Sequence, residues 1–227
     1  IRALLALSSN HRYTLFYASK NQLASDAIPN QQPAIRIKHL PIHDKWLARI
    51  WHRMRLPIPI ELVTGKIDLF HSPDFTLPPT MPGVPTLLTV HDLSFMRDPA
   101  SAWPSLRAYL MQAVPRSVKR ATHILADSQA TKDDLIELFN TPQEKITVLY
   151  SGVAARFRPI RDRAEIDRVR EKYKIGSAPF ALSVGTLQPR QNYRRLIEAY
   201  AKLNTDQLHL VIAGGKGWMF DDLFTLV

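Results

Sequence analysis

A histidine and an aspartate, His91-Asp92, directly follow the apolar run Thr86–Val90, which has the composition of a buried strand. A histidine at a strand end can bind a hydroxyl group or act as an acid or base, with Asp92 fixing the orientation of its ring. A structural role suits the same residues, with Asp92 capping the next segment and His91 as a hydrogen-bonded interior histidine. Spacing alone favours the structural role, and the catalytic role of His91 and Asp92 is the alternative.

A second candidate is the turn after the apolar run Phe180–Val184. Gly185 and Thr186 lead towards a predicted helix whose first amides and positive dipole end could bind a phosphate. Arg190 adds a cation that can contact two phosphate oxygens at once. A left-handed structural turn before an amphipathic helix explains these residues equally well, and the next residue, Gln191, contributes no second charge.

A weaker candidate is the glycine-rich turn Gly214-Gly215-Lys216-Gly217. Its glycines would let the backbone approach a ligand, but the pattern matches neither a Walker loop nor the dinucleotide fingerprint, so a plain turn is the simpler interpretation. Ser128 is well placed to cap a helix, with a substrate-facing role as the secondary interpretation. No spacing of histidine and carboxylate side chains indicates a metal site, and we predict none.

Each of these candidates follows an apolar run, where the chain passes from a predicted strand to the next segment. Strands alternating with helices predict a doubly wound α/β fold, in which ligands bind beyond the carboxyl ends of the strands. The short, nearly continuous apolar runs are typical of a parallel sheet covered on both faces. Strands are predicted at residues 13–17, 35–38, 68–71, 86–90, 124–126, 146–149, 180–184 and 208–213, and helices at residues 43–55, 105–120, 131–139, 165–174 and 193–203.

The length of 227 residues suits one complete domain and part of another. We expect residues 1–153 to form the first domain, residues 154–177 to connect the domains, and residues 178–227 to begin the second. The last segment provides one βαβ unit, which cannot be a domain alone. We therefore expect that the extreme N-terminus and most of the second domain lie outside this sequence.

The composition excludes several functional classes. A hydrophobic content of 45% with 22% charged residues indicates a folded soluble protein. The absence of cysteine excludes disulfides, thiol catalysis and cysteine-ligated metal sites. No apolar stretch is long enough to span a membrane, and the first residues lack the pattern of a signal peptide, so we expect a cytoplasmic location.

The net charge of +10 favours nucleic acid, an anionic membrane surface or a phosphorylated substrate as partner. Residues 1–150 contain 17 basic and 12 acidic side chains, and residues 151–227 contain 13 and 8. This even distribution argues against nucleic acid. The predicted helix 43–55 could lie on the inner face of an anionic membrane or cover the sheet, and its pattern favours the second interpretation. Its apolar stripe is Trp46, Leu47, Ile50, Trp51 and Met54, and its basic residues are Lys45, Arg49, His52 and Arg53.

Five segments, in order and spacing, resemble the retaining GT-B glycosyltransferases of family 4, also called glycosyl transferase group 1. They are Val90-His91-Asp92-Leu93, Ala126-Asp127-Ser128 with residues 131–135, residues 148–153 ahead of Phe157-Arg158-Pro159, residues 184–192, and residues 213–218. Each segment is weak evidence by itself. Together they cover nearly the whole chain from Leu4 onward, and the set is specific.

The resemblance implies a GT-B fold, with two Rossmann-like domains facing a cleft. Residues 1–153 would be the acceptor-side domain, and residues 178–227 would begin the nucleotide-sugar-binding domain. The implied reaction transfers a hexose of the mannose or glucose class from a nucleotide diphosphate sugar to a saccharide or lipid-linked acceptor, with retention of configuration. The donor is a co-substrate, and the resemblance implies no metal or other cofactor.

The resemblance also implies roles for the candidates. His91 would contact the transferred sugar near the reaction centre, and Ser128 would line the acceptor side. The donor-facing positions are Gly185, Thr186, Arg190, Gln191, Gly214, Gly215 and Lys216.

Gln191 departs from the family pattern, which commonly has a diphosphate-binding lysine at this position. Because a leaving diphosphate builds up negative charge, loss of one fixed cation could cost about 3 kcal/mol of transition-state stabilisation. Arg190, Arg194 or Lys216 could replace the lysine; otherwise donor handling is weakened.

The family's first glycine-rich loop and its donor-binding paired glutamates fall outside this sequence, so we expect the chain by itself to be inactive. A non-catalytic degenerate GT-B domain or a basic binding module is the alternative. A nucleotide-sugar epimerase of the same fold would need catalytic carboxylates that the sequence does not show.

Overall fold

The structure is a computed structural model and describes residues 2–5, 7, 10–21, 35–205 and 207–226. The chain divides into two compact units. The first contains Ile1–Leu93 and Leu110–Tyr150, and the second contains Ser94–Tyr109 and Ser151–Val227.

The strands of the first unit form two parallel sheets. In one, β1 (Tyr13–Ala18) pairs with β2 (Ile35–Leu40). In the other, four strands lie in the order β3 (Phe70–Ser72), β4 (Thr86–Val90), β5 (His123–Ala126) and β6 (Ile146–Val148). The central strands β4 and β5 supply much of the buried core, because their apolar side chains are covered. Parallel pairing confirms the predicted α/β class.

Eight α-helices lie within the described residues. In chain order they are α1 (Arg2–Leu5), α2 (Asp44–Ala48), α3 (Glu61–Thr64), α4 (Ser94–Arg97), α5 (Pro104–Arg120), α6 (Gln129–Phe139), α7 (Arg163–Lys172) and α8 (Tyr193–Ala201). Proline suits the first turn of α5, where an amide would have no partner in the helix. Within the described ranges, no helix is long and apolar enough to cross a membrane.

The second unit contains the predicted βαβ arrangement. Strand β7 (Phe180–Val184) pairs in parallel with β8 (His209–Ala213), and α8 connects them. Tyr193, the first residue of α8, is buried, with 2% of its surface exposed. The predicted strand-helix-strand order at residues 180–213 is therefore confirmed.

The predicted helix at residues 43–55 is α-helical only in α2. It continues as a π-helical turn, Arg49–Arg53, in which the amide of Met54 donates to the carbonyl of Arg49. Arg55 then adopts a left-handed conformation with φ 57°, which ends the helical path. Pro57 follows and could not continue a helix, because it lacks an amide hydrogen.

Candidate functional site

His91 lies at the carboxyl end of the four-stranded sheet, directly after β4, and both of its ring nitrogens are engaged. Nδ1 lies 2.6 Å from Oδ2 of Asp127, and Nε2 lies 3.0 Å from the carbonyl oxygen of Pro73. The ring of Phe75 packs edge-on, with 5.5 Å between the ring centroids. These contacts fix the imidazole, although 43% of the side chain remains exposed.

The strand register brings His91 and Asp127 together. Val90, the last residue of β4, is paired with Ala126, the last residue of β5. His91 and Asp127 are the next residues of the two strands, so the parallel register places them side by side. Their closeness follows from the sheet and not from their separation of 36 residues in sequence.

The contacts of His91 determine its protonation. A carboxylate and a carbonyl can only accept hydrogen bonds, so a ring with hydrogen on both nitrogens satisfies Asp127 and Pro73 together. The hydrogen bond that His91 donates to Asp127 raises the pKa of His91 above its ordinary value of 6.5. Burial lowers this pKa, and the negative charge of Asp127 raises it further. The site therefore favours the imidazolium form, a donor that carries a positive charge.

A second connection reaches the backbone of His91 from helix α6. Ser128 caps this helix, because its Oγ accepts a hydrogen bond from the amide of Thr131 at 3.1 Å. The hydroxyl of Thr131 in turn donates to the carbonyl of His91 at 2.9 Å. Ser128 is therefore confirmed as the predicted N-cap, while its role on the acceptor side stays a prediction.

The carboxylate that orients His91 differs from the one expected. The sequence suggested Asp92, but Asp127 is the residue that contacts the ring. The sequence does not identify Asp127 and Pro73 as partners of His91, because they lie 36 and 18 residues from it along the chain. The available signal was that Asp127, like His91, directly follows a predicted strand.

The two glycine turns of the second unit are joined to each other. The amide of Leu187 donates to the carbonyl of Gly215 at 2.9 Å, and the amide of Gly217 donates to the carbonyl of Leu187 at 3.1 Å. A Cβ at Gly214 would overlap the carbonyl of Gly185, and a Cβ at Gly217 would lie 2.6 Å from the Leu187 oxygen. These glycines therefore allow two backbones to meet, as the structural interpretation of the turn requires.

The turn after β7 is also held from its own helix. The hydroxyl of Tyr193 donates to the carbonyl of Gly185 at 3.0 Å. A Cβ at Gly185 would lie 2.9 Å from that hydroxyl and 3.0 Å from Cδ of Gln191, so the Gln191 side chain lies against this glycine. Asn192 supplies the left-handed residue of the turn, with φ 53°. Thr186, also predicted to face the donor, is exposed.

The three cations that could replace the expected lysine have different surroundings. Arg194 is paired with two carboxylates, Asp222 at 2.5 Å and Glu198 at 3.7 Å. Arg190 donates to Oγ of Ser94 at 3.3 Å. Because its charge is already compensated, Arg194 is the weakest replacement.

Lys216 belongs to the joined glycine turns, where it forms a parallel bridge with Leu187. Its Nζ lies 6.0 Å and 5.9 Å from the ring centroids of Phe220 and Phe224. Aromatic faces attract a cation without neutralising it. The position at the carboxyl end of β8 and the retained charge make Lys216 a better candidate than Arg194 for contact with an anion.

Comparison with protein families gives two adjacent matches. The sequence model of Glycosyltransferase Family 4 matches residues 2–157, which is more than half of the chain. The model described as Glycosyl transferases group 1 matches residues 165–226. The first match includes His91 and Asp127, and the second includes both glycine turns.

Similar curated proteins include two bacterial mannosyltransferases. The chain is 31% identical over 165 residues to O-antigen chain mannosyltransferase B of Escherichia coli, covering 71% of this chain and 42% of that protein. It is 28% identical over 129 residues to O-antigen chain mannosyltransferase RfbU of Salmonella typhimurium, covering 57% of this chain and 32% of that protein.

A third relative is from Campylobacter jejuni. This N-acetylgalactosamine-N,N'-diacetylbacillosaminyl-diphospho-undecaprenol 4-alpha-N-acetylgalactosaminyltransferase is 35% identical over 111 residues, covering 48% of this chain and 27% of that protein. The chain thus spans less than half the length of each of these three relatives.

Proposed function

Because the chain belongs to Glycosyltransferase Family 4, we propose that this protein transfers a hexose from a nucleotide diphosphate sugar to a saccharide or lipid-linked acceptor, with retention of configuration. The names of the two O-antigen mannosyltransferases favour mannose as the hexose and surface polysaccharide assembly as the process. The name of the Campylobacter relative supports an acceptor carried on a diphospho-undecaprenol lipid. The proposed location is the cytoplasm, where nucleotide sugars are the donors.

The observation that carries this proposal is the doubly hydrogen-bonded His91 at the carboxyl end of the parallel sheet. Nδ1 donates to Asp127, which orients the ring and raises its pKa. Nε2 donates to the carbonyl of Pro73, and the partly exposed ring lets a sugar oxygen take the place of that carbonyl. His91 would then hold the transferred sugar and stabilise negative charge that develops on its oxygens.

The donor diphosphate would be bound by the second unit, with Lys216 supplying the charge that Gln191 does not. In this proposal the leaving diphosphate accepts the proton of the acceptor hydroxyl, so no protein nucleophile is needed. The transfer needs neither a metal nor another cofactor. Gln191 and the pairing of Arg194 favour a second candidate, a GT-B module that binds without turnover, because they leave fewer cations for the diphosphate.

The test is donor turnover by the protein expressed from its complete gene. GDP-mannose, UDP-glucose and UDP-N-acetylglucosamine would each be supplied with EDTA present, and nucleotide diphosphate release would be measured. We expect release from one donor, reduced about a hundredfold or more by His91→Gln.

His123→Gln is the matched control. This histidine begins β5 at the amino end of the same sheet, and its ring forms a hydrogen bond with the hydroxyl of Thr147. Calorimetric binding of each donor completes the test. Donor binding without turnover would favour the binding module. The absence of both donor binding and turnover would contradict the transferase proposal.

A further inference from the structure

Only part of the apolar stripe predicted at residues 43–55 is buried. Leu47, Ile50 and Trp51 are partly buried, whereas Trp46 and Met54 are 54% and 58% exposed. The part of the stripe that remains exposed therefore needs an explanation other than coverage of the sheet.

The exposed apolar side chains continue beyond the helix. Leu56 and Ile58 are 39% and 41% exposed and alternate with Arg55 and Pro57. This segment is ordered by hydrogen bonds: the amide of Leu56 donates to the carbonyl of Ile50 at 3.0 Å, and Nε1 of Trp51 donates to the carbonyl of Ile58 at 2.9 Å. The loop thus holds large apolar side chains in solvent instead of folding them inward.

The charge of the same segment is uniformly positive. Residues 45–60 contain no acidic side chain and, besides His52, four basic ones: Lys45, Arg49, Arg53 and Arg55. All four are exposed, and the guanidinium of Arg49 lies 5.0 Å from the ring of Trp46. The nearest acidic residues in sequence are Asp44, whose carboxylate accepts from the amide of Lys45, and the buried Glu61.

Further positive charge comes from the helix that precedes β5. Burial first, and then the charges of Arg120 and Arg116, lower the pKa of His52 from 6.5 to about 4. His52 is therefore neutral near pH 7, and the two arginines act on the ring of a residue within the segment.

We propose that this basic-apolar surface, formed by Trp46, Arg49 and residues 53–58, binds an anionic lipid bilayer. Its arginines would contact lipid phosphates, and its tryptophan and aliphatic side chains would enter the headgroup region. Nucleic acid would match the charge but gives no role to Met54, Leu56 and Ile58. An acidic protein partner would match both features, so the experiment includes arms that separate it from lipid.

The experiment is cosedimentation of the protein with vesicles. Vesicles of phosphatidylcholine mixed with phosphatidylglycerol should bind the protein, and vesicles of phosphatidylcholine alone should bind it much more weakly. The double substitution Arg53→Gln with Arg55→Gln should weaken binding about fivefold for each arginine removed. Each basic side chain near an anionic lipid surface contributes about 1 kcal/mol of attraction, which corresponds to this factor. Met54→Ser with Leu56→Ser and Ile58→Ser should weaken binding about tenfold or more.

Matched control variants come from exposed positions of the second unit. Arg161→Gln with Arg168→Gln controls for charge, and Val169→Ser with Leu203→Ser and Met219→Ser controls for apolar side chains. Circular dichroism spectra would verify that each variant is folded. We expect these controls to bind like the unchanged protein.

Two results would overturn the proposal: no binding to the anionic vesicles, or binding that the surface variants and the control variants reduce equally. A surface used for a protein partner would give the first result. Vesicle binding does not measure sugar transfer, so its failure would leave the proposed transferase function untouched. Failure of transfer would likewise leave membrane binding measurable.

Discussion

The turn after β4 and the turn after β7 occupy equivalent positions at the carboxyl ends of parallel strands, but they are built from different components. In the first, side chains meet: His91 is held by Asp127 and by the carbonyl of Pro73. In the second, backbones meet, since Leu187 exchanges hydrogen bonds with Gly215 and Gly217. The first turn fixes a side chain that can carry a positive charge, whereas the second turn has glycines, whose missing side chains allow two loops to meet.

The largest effect is expected from Gly214→Ala in the second turn. Its Cβ would overlap the carbonyl of Gly185, so one of the two loops must move. We expect the free energy of unfolding to fall by about 3 kcal/mol, as in overpacked sites. Urea denaturation of the protein measures this change.

Gly215→Ala is the matched control for this substitution, because nothing lies within 4 Å of its Cβ position and its φ is not in the left-handed region. We expect it to alter stability by less than about 1 kcal/mol. Equal effects of the two substitutions would show that close backbone contact does not distinguish the second turn.

The next effect is expected from Asp127→Asn in the first turn. Loss of the carboxylate lowers the pKa of His91 towards its ordinary value, so the variant loses the imidazolium at a lower pH than the unchanged protein. We expect kcat/KM to fall by about tenfold to a hundredfold near neutral pH and to recover in acid, where the ring is protonated again. The pH profile of kcat/KM and an NMR titration of His91 measure the two changes.

Asp133→Asn is the charge control, because Asp133 lies on α6, shortly after Asp127, and accepts a hydrogen bond from Gln129 instead of His91. A reduction of kcat/KM that is the same at every pH would contradict the proposed role of Asp127. It would indicate that this carboxylate acts on the fold and not on the charge of the ring.

Lowering the pH should reduce the free energy of unfolding of the first unit more than that of the second. The folded pKa of His52, about 4, lies below its unfolded value of 6.5, so the unfolded chain binds more protons between these values. The stabilisation is present above pH 6.5 and is lost as the pH falls towards 4. Allowing for partial solvent screening, we expect the first unit to lose about 2 kcal/mol over this range.

Hydrogen exchange at several pH values measures this loss in each unit. His52→Gln should remove most of the dependence from the first unit, because glutamine does not titrate. An unchanged pH dependence in that variant would contradict the assignment to His52.

The smallest effect is expected from Gln191→Lys, which introduces the cation that the family resemblance leads us to expect at this position. Its side chain lies against Gly185 at the second turn, so a lysine there should strengthen donor binding about fivefold. Lys216→Gln should weaken it by a comparable factor, and Lys202→Gln, at the exposed end of α8, should change nothing. Calorimetric titration with the donor tests all three variants.

Much of the fold could be predicted from local patterns. Continuous apolar runs indicated buried parallel strands, and Ser128 indicated the start of α6, because capping involves only residues adjacent along the chain. The helix at 43–55 was predicted only in part. Its pattern was compatible with one covered face, but the π-helical turn and the conformation of Arg55 leave Trp46 and Met54 in solvent.

Residue types and their order are sufficient to predict the strand-helix alternation, the family and the residues that can carry charge. Which residues meet in space depends on the packing of the folded chain. Asp127 rather than Asp92 holds His91 because the register of β4 against β5 places the two strand ends side by side. The glycine turns likewise contact each other because β7 and β8 are neighbours in a parallel pair. Such contacts depend on strand register, which is set by packing between segments distant along the chain.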